Sequence, residues 1–195
     1  MGNETRATMI EGAIQLLATG GVHGASLLKV LEYTGAPRGS VYHHFPGGKE
    51  DLILAALDLT GQRHDRFVER FRGTSAEEIT AGYLELWRRI LLRSRLESGC
   101  PILAVTVSAS AGPLLDRAGE IFRTSQRHLA DLYEEIGVNR SAAERFVTIL
   151  VASAEGAVVL SRAQQTIEPF EVVADQLVEL AAVMPRVVSS PAGTR

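Results

Sequence analysis

Gly35-Ala36-Pro37-Arg38-Gly39-Ser40-Val41-Tyr42-His43-His44-Phe45-Pro46-Gly47-Gly48-Lys49-Glu50-Asp51-Leu52 is the stretch from which the rest of the chain can be read. Breakers fence it on both sides. Gly35 stops what precedes it, because glycine takes the left-handed conformation a helix C-terminus needs. Ala36-Pro37 makes a tight turn, and Pro46-Gly47-Gly48 breaks the chain again. Between them the spacing predicts a short helix from Arg38 to Phe45, with Val41 and Phe45 as its inward pair. Its other side carries Arg38, Gly39, Ser40, Tyr42 and His43, a polar set that a core helix would not expose together.

Outward from this stretch, periodicity predicts helix nearly everywhere. Ile10, Ala13, Ile14 and Leu17 fall at i, i+3, i+4 and i+7 on a first helix that Gly20-Gly21 ends. Leu27, Val30, Leu31 and Thr34 repeat the pattern on a short second one. A longer helix starts near Lys49 and carries Ile53, Ala56, Leu57 and Thr60. Ser75-Ala76-Glu77-Glu78 is a capping box, opening a helix with Tyr83, Leu84, Trp87, Ile90 and Leu91 on its apolar side. Ser98-Gly99-Cys100-Pro101 interrupts it. Ile102 to Val107 is short and β-branched, but no partner strand is visible, so it reads as helix. Pro113 opens a helix to about Ile136. Ser141-Ala142-Ala143-Glu144 reads as a second capping box, starting a helix to about Gln165. Glu168-Pro169 opens the last, through Met184, and the residues from Pro185 on read as frayed. The fold class expected is all-α.

Composition sets the outer limits. The 195 residues suffice for a proper core, and 46% hydrophobic with 22% charged residues is ordinary for a soluble globular chain. A single cysteine, Cys100, excludes an intramolecular disulfide framework and a multi-cysteine zinc site. The N-terminus lacks an apolar signal core, and Arg6 stands where a myristoylation signal wants Ser or Thr. Phe146 to Leu160 is too short to span a membrane and is broken by Glu155. A cytoplasmic protein without a membrane partner is expected. Enzyme readings find little support. His43-His44 lacks helical metal-ligand spacing, and no metal or cofactor is expected. Gly47-Gly48-Lys49-Glu50 lacks the upstream glycine and the Ser/Thr of a phosphate loop, and no Gly-x-Ser-x-Gly elbow exists.

Two short helices joined by a turn containing Gly35, after a longer helix, make a helix-turn-helix. Arg38 could reach guanine O6/N7 in a bidentate contact, and Ser40 a base edge or a phosphate. Gly39 allows close approach to a duplex. Tyr42 and His44 suit phosphates, His43 adds a donor, and Lys49 opens a helix, where charge and free amides both attract phosphate. Residues 1–72 hold eight Lys/Arg and eight Asp/Glu, a net of zero. DNA affinity must therefore come from charge placement, with Glu11, Glu32 and Asp58 facing away.

The stretch from Gly35 to Leu52 resembles the recognition segment of the TetR family of transcriptional repressors. That pattern runs Gly, apolar, Ser or similar, any residue, Gly, Ser/Thr, apolar, Tyr, any residue, His/Tyr, Phe, then a break and Lys-Glu-x-Leu. Phe45-Pro46-Gly47-Gly48-Lys49-Glu50 is similar to the LmrA/YxaF-type subgroup in particular. Two positions depart: Ala25 stands where a Thr is usual, with Ser26 beside it able to serve, and Pro37 replaces the usual Ser or Thr cap. The resemblance implies a DNA-binding head over residues 1–48, a helical ligand-binding and dimerisation body over 49–185, and a tail at 186–195. It implies a regulator, expected to be a repressor, that a small and largely apolar effector releases from its operator.

The body is compatible with that. Phe146, Ile149, Leu150, Ser153, Ala157 and Leu160 on one long helix, and Phe170, Val173, Ala174, Leu177 and Leu180 on the next, form broad apolar faces. Paired across a two-fold axis they would make a four-helix interface, and a homodimer would read a near-palindromic double-stranded operator. For the effector site the candidates are the large apolar residues Trp87, Leu91, Leu103, Val107, Phe122 and Phe146, each of which could equally be core. Thr106, Gln126 and Glu155 are polar groups within apolar stretches that could orient a ligand. Glu155 could equally sit in water or pair with Arg162, and Cys100 could be a small buried hydrophobe or a redox thiol.

Overall fold

The computed structural model describes residues 2–185; the expected tail lies outside them. Nine α-helices follow one another, with no β-strand among the described residues. The head comprises α1 (Gly2–Gly24), α2 (Leu27–Thr34) and α3 (Ser40–His44), and α4 (Lys49–Val68) leads out of it. A short 3-10 turn, Glu69–Phe71, precedes α5 (Ala76–Arg93), α6 (Pro101–Ser108), α7 (Pro113–Glu135), α8 (Arg140–Gln164) and α9 (Glu168–Ala182).

Local chemistry explains the boundaries. Gly21 carries a non-helical backbone (φ 64°, ψ −167°) near the end of α1, so the Gly20-Gly21 stop is a kink followed by a last partial turn. Gly35 closes α2 in the left-handed region at φ 69°, its N–H donating to Leu31 O. Ser75 and Glu78 form both halves of the capping box that opens α5. The second expected box is not the one used: Asn139 caps α8, its side chain accepting from Ala142 N at 3.2 Å, and Ser141 lies inside the helix, exposed. The preceding Gly137 and Val138 already turn the chain, and Asn is as strong an N-cap as Ser. The segment from Ile102 is helical, with Pro101 in its first turn.

One continuous core runs from head to body. Met9, Ala13 and Leu17 of α1 meet Val30, Val41, Phe45, Leu52 and Ile53 in the head, all fully or almost fully buried. In the body, Leu84 and Leu91 of α5 pack with Leu129, Leu132 and Tyr133 of α7, Leu150 of α8 and Phe170 of α9. Polar clamps tie the layers. Thr80 and Tyr133 hydroxyls meet at 2.7 Å inside the core. Arg88 of α5 grips both carboxylate oxygens of Glu171 on α9, a bidentate pair of the strong kind. Arg63 of α4 pairs with Glu11 of α1, and Arg117 of α7 with Asp58 of α4. Glu11 and Asp58 are thus neutralised by the body side of the molecule, while Glu32 is exposed on α2.

Candidate nucleic-acid interface and ligand cavity

The reading element is shorter than the sequence suggests. α3 covers only Ser40–His44, whereas helix is expected from Arg38 to Phe45. Pro37 offers no side-chain cap, and Pro37-Arg38-Gly39 forms a turn instead: both the backbone N–H and the hydroxyl of Ser40 donate to Pro37 O, at 2.9 and 2.6 Å. Val41 and Phe45 are buried as the inward pair. Arg38, Gly39, Tyr42 and His43 are exposed and His44 half-buried, its ring edge-on to that of His43 at 4.9 Å. A Cβ built on Gly39 would meet no atom of the chain, so that spot opens outward.

Some body arginines are tied up in ion pairs: Arg72, Arg88, Arg117 and Arg140 each hold carboxylates. Among the described residues Arg38 forms no such pair, which leaves its five N–H donors available. Arg93, Arg95, Arg123 and Arg127 form none among the described residues either, so Arg38 is set apart by its place beside α3. Arg6, from α1, lies over the Phe45 ring at 5.2 Å, a cation–π contact that fixes one positive charge beside α3. Ser26 caps α2, accepting from Lys29 N at 3.3 Å. Lys49 is less free than its position suggests: its ammonium donates to Val22 O at 2.7 Å, across the kinked end of α1. An ammonium has three donors, so two stay available beside the amides of the α4 N-terminus. Lys49 thus also holds α1 to α4, a role invisible in a local motif because the two residues stand 27 apart.

A cavity of about 400 Å³ opens where head and body meet, within the range of small-molecule sites. Ile14, Gln15 and Ala18 of α1, and Thr60, Arg63, His64 and Phe67 of α4, form one side. Residues of α5, the Ser98–Ile102 stretch, α7 and α8 form the other. Of the sequence candidates it gathers Trp87, Phe122, Gln126 and Glu155. The other five stand elsewhere. Leu91 is fully buried in the core, and Phe146 packs edge-on against Tyr133 at 5.5 Å. Leu103 is half-buried against the core, and the Thr106 hydroxyl donates to Ile102 O within α6. Val107 faces outward, 74% exposed. Side-chain size alone does not tell core from cavity wall. The lining residues His64, Tyr83, Cys100 and Ile14 escape sequence reading because they come together from elements far apart in the chain.

Two polar atoms in this cavity stand out. Trp87 Nε1 and Glu155 Oε2 are buried and make no hydrogen bond. Burial pushes the Glu155 carboxyl up to about 7, against a smaller lowering by the Cys100 thiol. Arg162, the alternative partner of Glu155, points instead to Thr19 O at 3.4 Å. Cys100 is buried and caps α6, its Sγ accepting from Leu103 N. Burial and the neighbouring Glu155 raise its thiol well above the ordinary range, the opposite of a reactive cysteine. Among the described residues no cluster of three or more His, Cys, Asp or Glu is placed to hold a metal ion.

Comparison with known proteins places this geometry. Residues 9–56 match the bacterial regulatory proteins of the tetR family, and residues 76–176 the C-terminal domain of LmrA/YxaF-like transcriptional regulators. An uncharacterised HTH-type transcriptional regulator of Mycobacterium tuberculosis is 31% identical over 184 residues, covering 88% of this chain and 91% of its own. The HTH-type transcriptional regulator LmrA of Bacillus subtilis is 29% identical over 167 residues, covering 81% and 86%. In fold, the regulatory protein TetR from Rhodobacter sphaeroides superposes with a TM-score of 0.79 at 17% identity, over 89% of this chain and 96% of that one. With a helix-turn-helix joined to a helical body, and with these matches over both parts, the chain belongs to the TetR family of transcriptional regulators, with a C-terminal domain of the LmrA/YxaF-like kind.

Proposed function

We propose that the protein is a homodimeric repressor that binds a near-palindromic operator and is released from it by a small, largely apolar effector. Ser26, Arg38, Gly39, Ser40, Tyr42, His43, His44 and Lys49 form the DNA-contacting set, Arg38 reading a base edge and the others positioning the backbone. We divide the chain into a head over 1–48 and a body over 49–185. A cytoplasmic location, beside its DNA target, goes with this reading.

The observation that carries the release mechanism is the wall of the cavity. One side belongs to α1 and α4, the helices that hold the reading head, and the other to α5, α7 and α8 of the body. An occupant therefore touches both halves and favours whichever relative placement fits it best. It shifts DNA affinity only by its preference for the placement whose heads are misaligned. Existing ties across this seam give the motion a path: Gly99 N donates to Ala18 O at 2.8 Å, and Arg117 of α7 pairs with Asp58 of α4.

Dimerisation is supported by the outer faces of α8 and α9. Ile149, Val159 and Leu160 on α8, and Val172 and Leu180 on α9, are each about half exposed, with Ala152 and Gly156 thinning the α8 surface between them. α8 is long and apolar enough to cross a membrane by length and composition, but half of that window is buried in the core. The unburied half includes this outward stripe, and a second copy would pair like with like across a two-fold axis.

The test is a gel shift on an operator selected from genomic DNA, with an organic extract of the host's cells added. The wild type is expected to be released. Ala18→Phe, which fills the cavity from α1, is expected to bind DNA as tightly and to resist release. Equal release of both proteins would overturn the cavity as the effector site.

A further inference from the structure

The cavity has a chemical preference that its apolar walls alone do not define. Glu155 projects from α8 into it with one carboxylate oxygen unpartnered and the residue only 8% exposed. No ion pair to Glu155 forms among the described residues. Arg63, the lining arginine, already holds Glu11, and Arg162 is turned to Thr19 O. Gln126 and Ser125 add neutral polar groups from α7, and aromatic side chains, Phe67, Tyr83, Trp87 and Phe122, line the same space.

We propose that the effector is a lipophilic amine, its protonated nitrogen paired with the Glu155 carboxylate and its apolar part held among the aromatic walls. The inference rests on the cavity being the effector site. A carboxylate in a dry, weakly screening site attracts a cation far more strongly than it would in water. An anionic effector would meet that same carboxylate as a like charge. A neutral effector would leave the buried acid to hold its own proton, whereas an ammonium pairs with the carboxylate and stabilises it. Aromatic rings add attraction for a cation that aliphatic walls would not.

Trp87 makes this measurable, because it is the only tryptophan in the chain and it lines the cavity. The experiment titrates the full-length protein with a series of phenylalkylamines and, in parallel, with the phenylalkanols of matching length, following Trp87 fluorescence. The expected result is saturable binding of both series, with the amine at least about tenfold tighter than its alcohol in the best-fitting pair. Glu155→Gln keeps the size of the side chain and removes its charge, so it is expected to bring the two series together while leaving alcohol binding intact. Alcohol binding in the variant also reports that its cavity is folded. Equal affinity of amine and alcohol in the wild type, or an amine preference that survives in Glu155→Gln, would overturn the charge assignment and leave the cavity reading standing. Binding of neither series would overturn the cavity reading as well.

Discussion

Glu155 and Arg38 are two ionisable groups without an ion-pair partner among the described residues, in opposite surroundings. Arg38 is exposed, so its free guanidinium is held at no cost and awaits an acceptor from outside. Glu155 is buried, so its carboxyl responds by holding its proton, up to about pH 7. The stability consequence has a definite sign. Below the unfolded pKa of about 4.5 the acid is protonated in both states and contributes nothing. As pH rises toward 7 the unfolded chain ionises first, which favours unfolding, and the penalty levels off above the folded pKa. Glu155→Gln, which cannot ionise, is therefore expected to raise stability at pH 8 by on the order of 2 kcal/mol and to change little at pH 4. Denaturant melts at the two pH values check this, and an equal shift at both would show that packing, not ionisation, governs the site. Tyr83 and Cys100, which burial and Glu155 both raise, stay protonated in the folded protein at either pH.

Among the elements, the short-range devices were legible and the long-range ones were not. Gly35, Pro46 and the Ser75–Glu78 box act over a few residues, and each ends or opens its helix where the sequence places it. The start of α8 shows the limit of that reading. Ser141 and Glu144 have capping-box spacing, yet Asn139 two residues earlier makes the cap, because the turn at Gly137 delivers the chain there. Asn139→Ala is expected to cost about 1 kcal/mol, with Ser141→Ala near neutral, as thermal or chemical denaturation would register. The reverse order would restore the Ser141 cap. Likewise the outward residues identify the recognition helix, but the spacing gives it too great a length because Pro37 initiates a turn and not the helix. The cavity walls were legible only in part. Trp87, Phe122, Gln126 and Glu155 line it while Phe146 and Leu91 vanish into core, and periodicity cannot separate these outcomes because both put a large side chain on an inward face.

At the scale of the whole molecule, the proposed function asks three surfaces to act together: the reading head, the seam with its cavity, and the outer faces of α8 and α9. A single head reads one half-site, and two heads held about 34–36 Å apart, or a multiple of that, read a symmetric operator. The α8–α9 stripe is where that spacing would be set. Leu160→Glu places a charge in the middle of the proposed interface. It is expected to convert the dimer to a monomer by analytical ultracentrifugation while leaving helix content unchanged by circular dichroism. A variant that sediments like the wild type would place the dimer contact elsewhere. The near-neutral head also fits this scale: with little net charge to attract DNA in bulk, affinity is expected to rest on placed groups and on the doubling of contacts in the proposed dimer.

The most direct test of the account is selection of binding sites from sheared genomic DNA by the purified protein at a fixed, stated salt concentration, with Arg38→Ala run in parallel. The account predicts an enriched near-palindrome for the wild type. For the variant it predicts a loss of about 1–3 kcal/mol on that site and a relaxed preference at the base pair that Arg38 reads. Enrichment of no sequence by a well-folded dimer, or an Arg38→Ala variant that selects the same site with the same affinity, would contradict it.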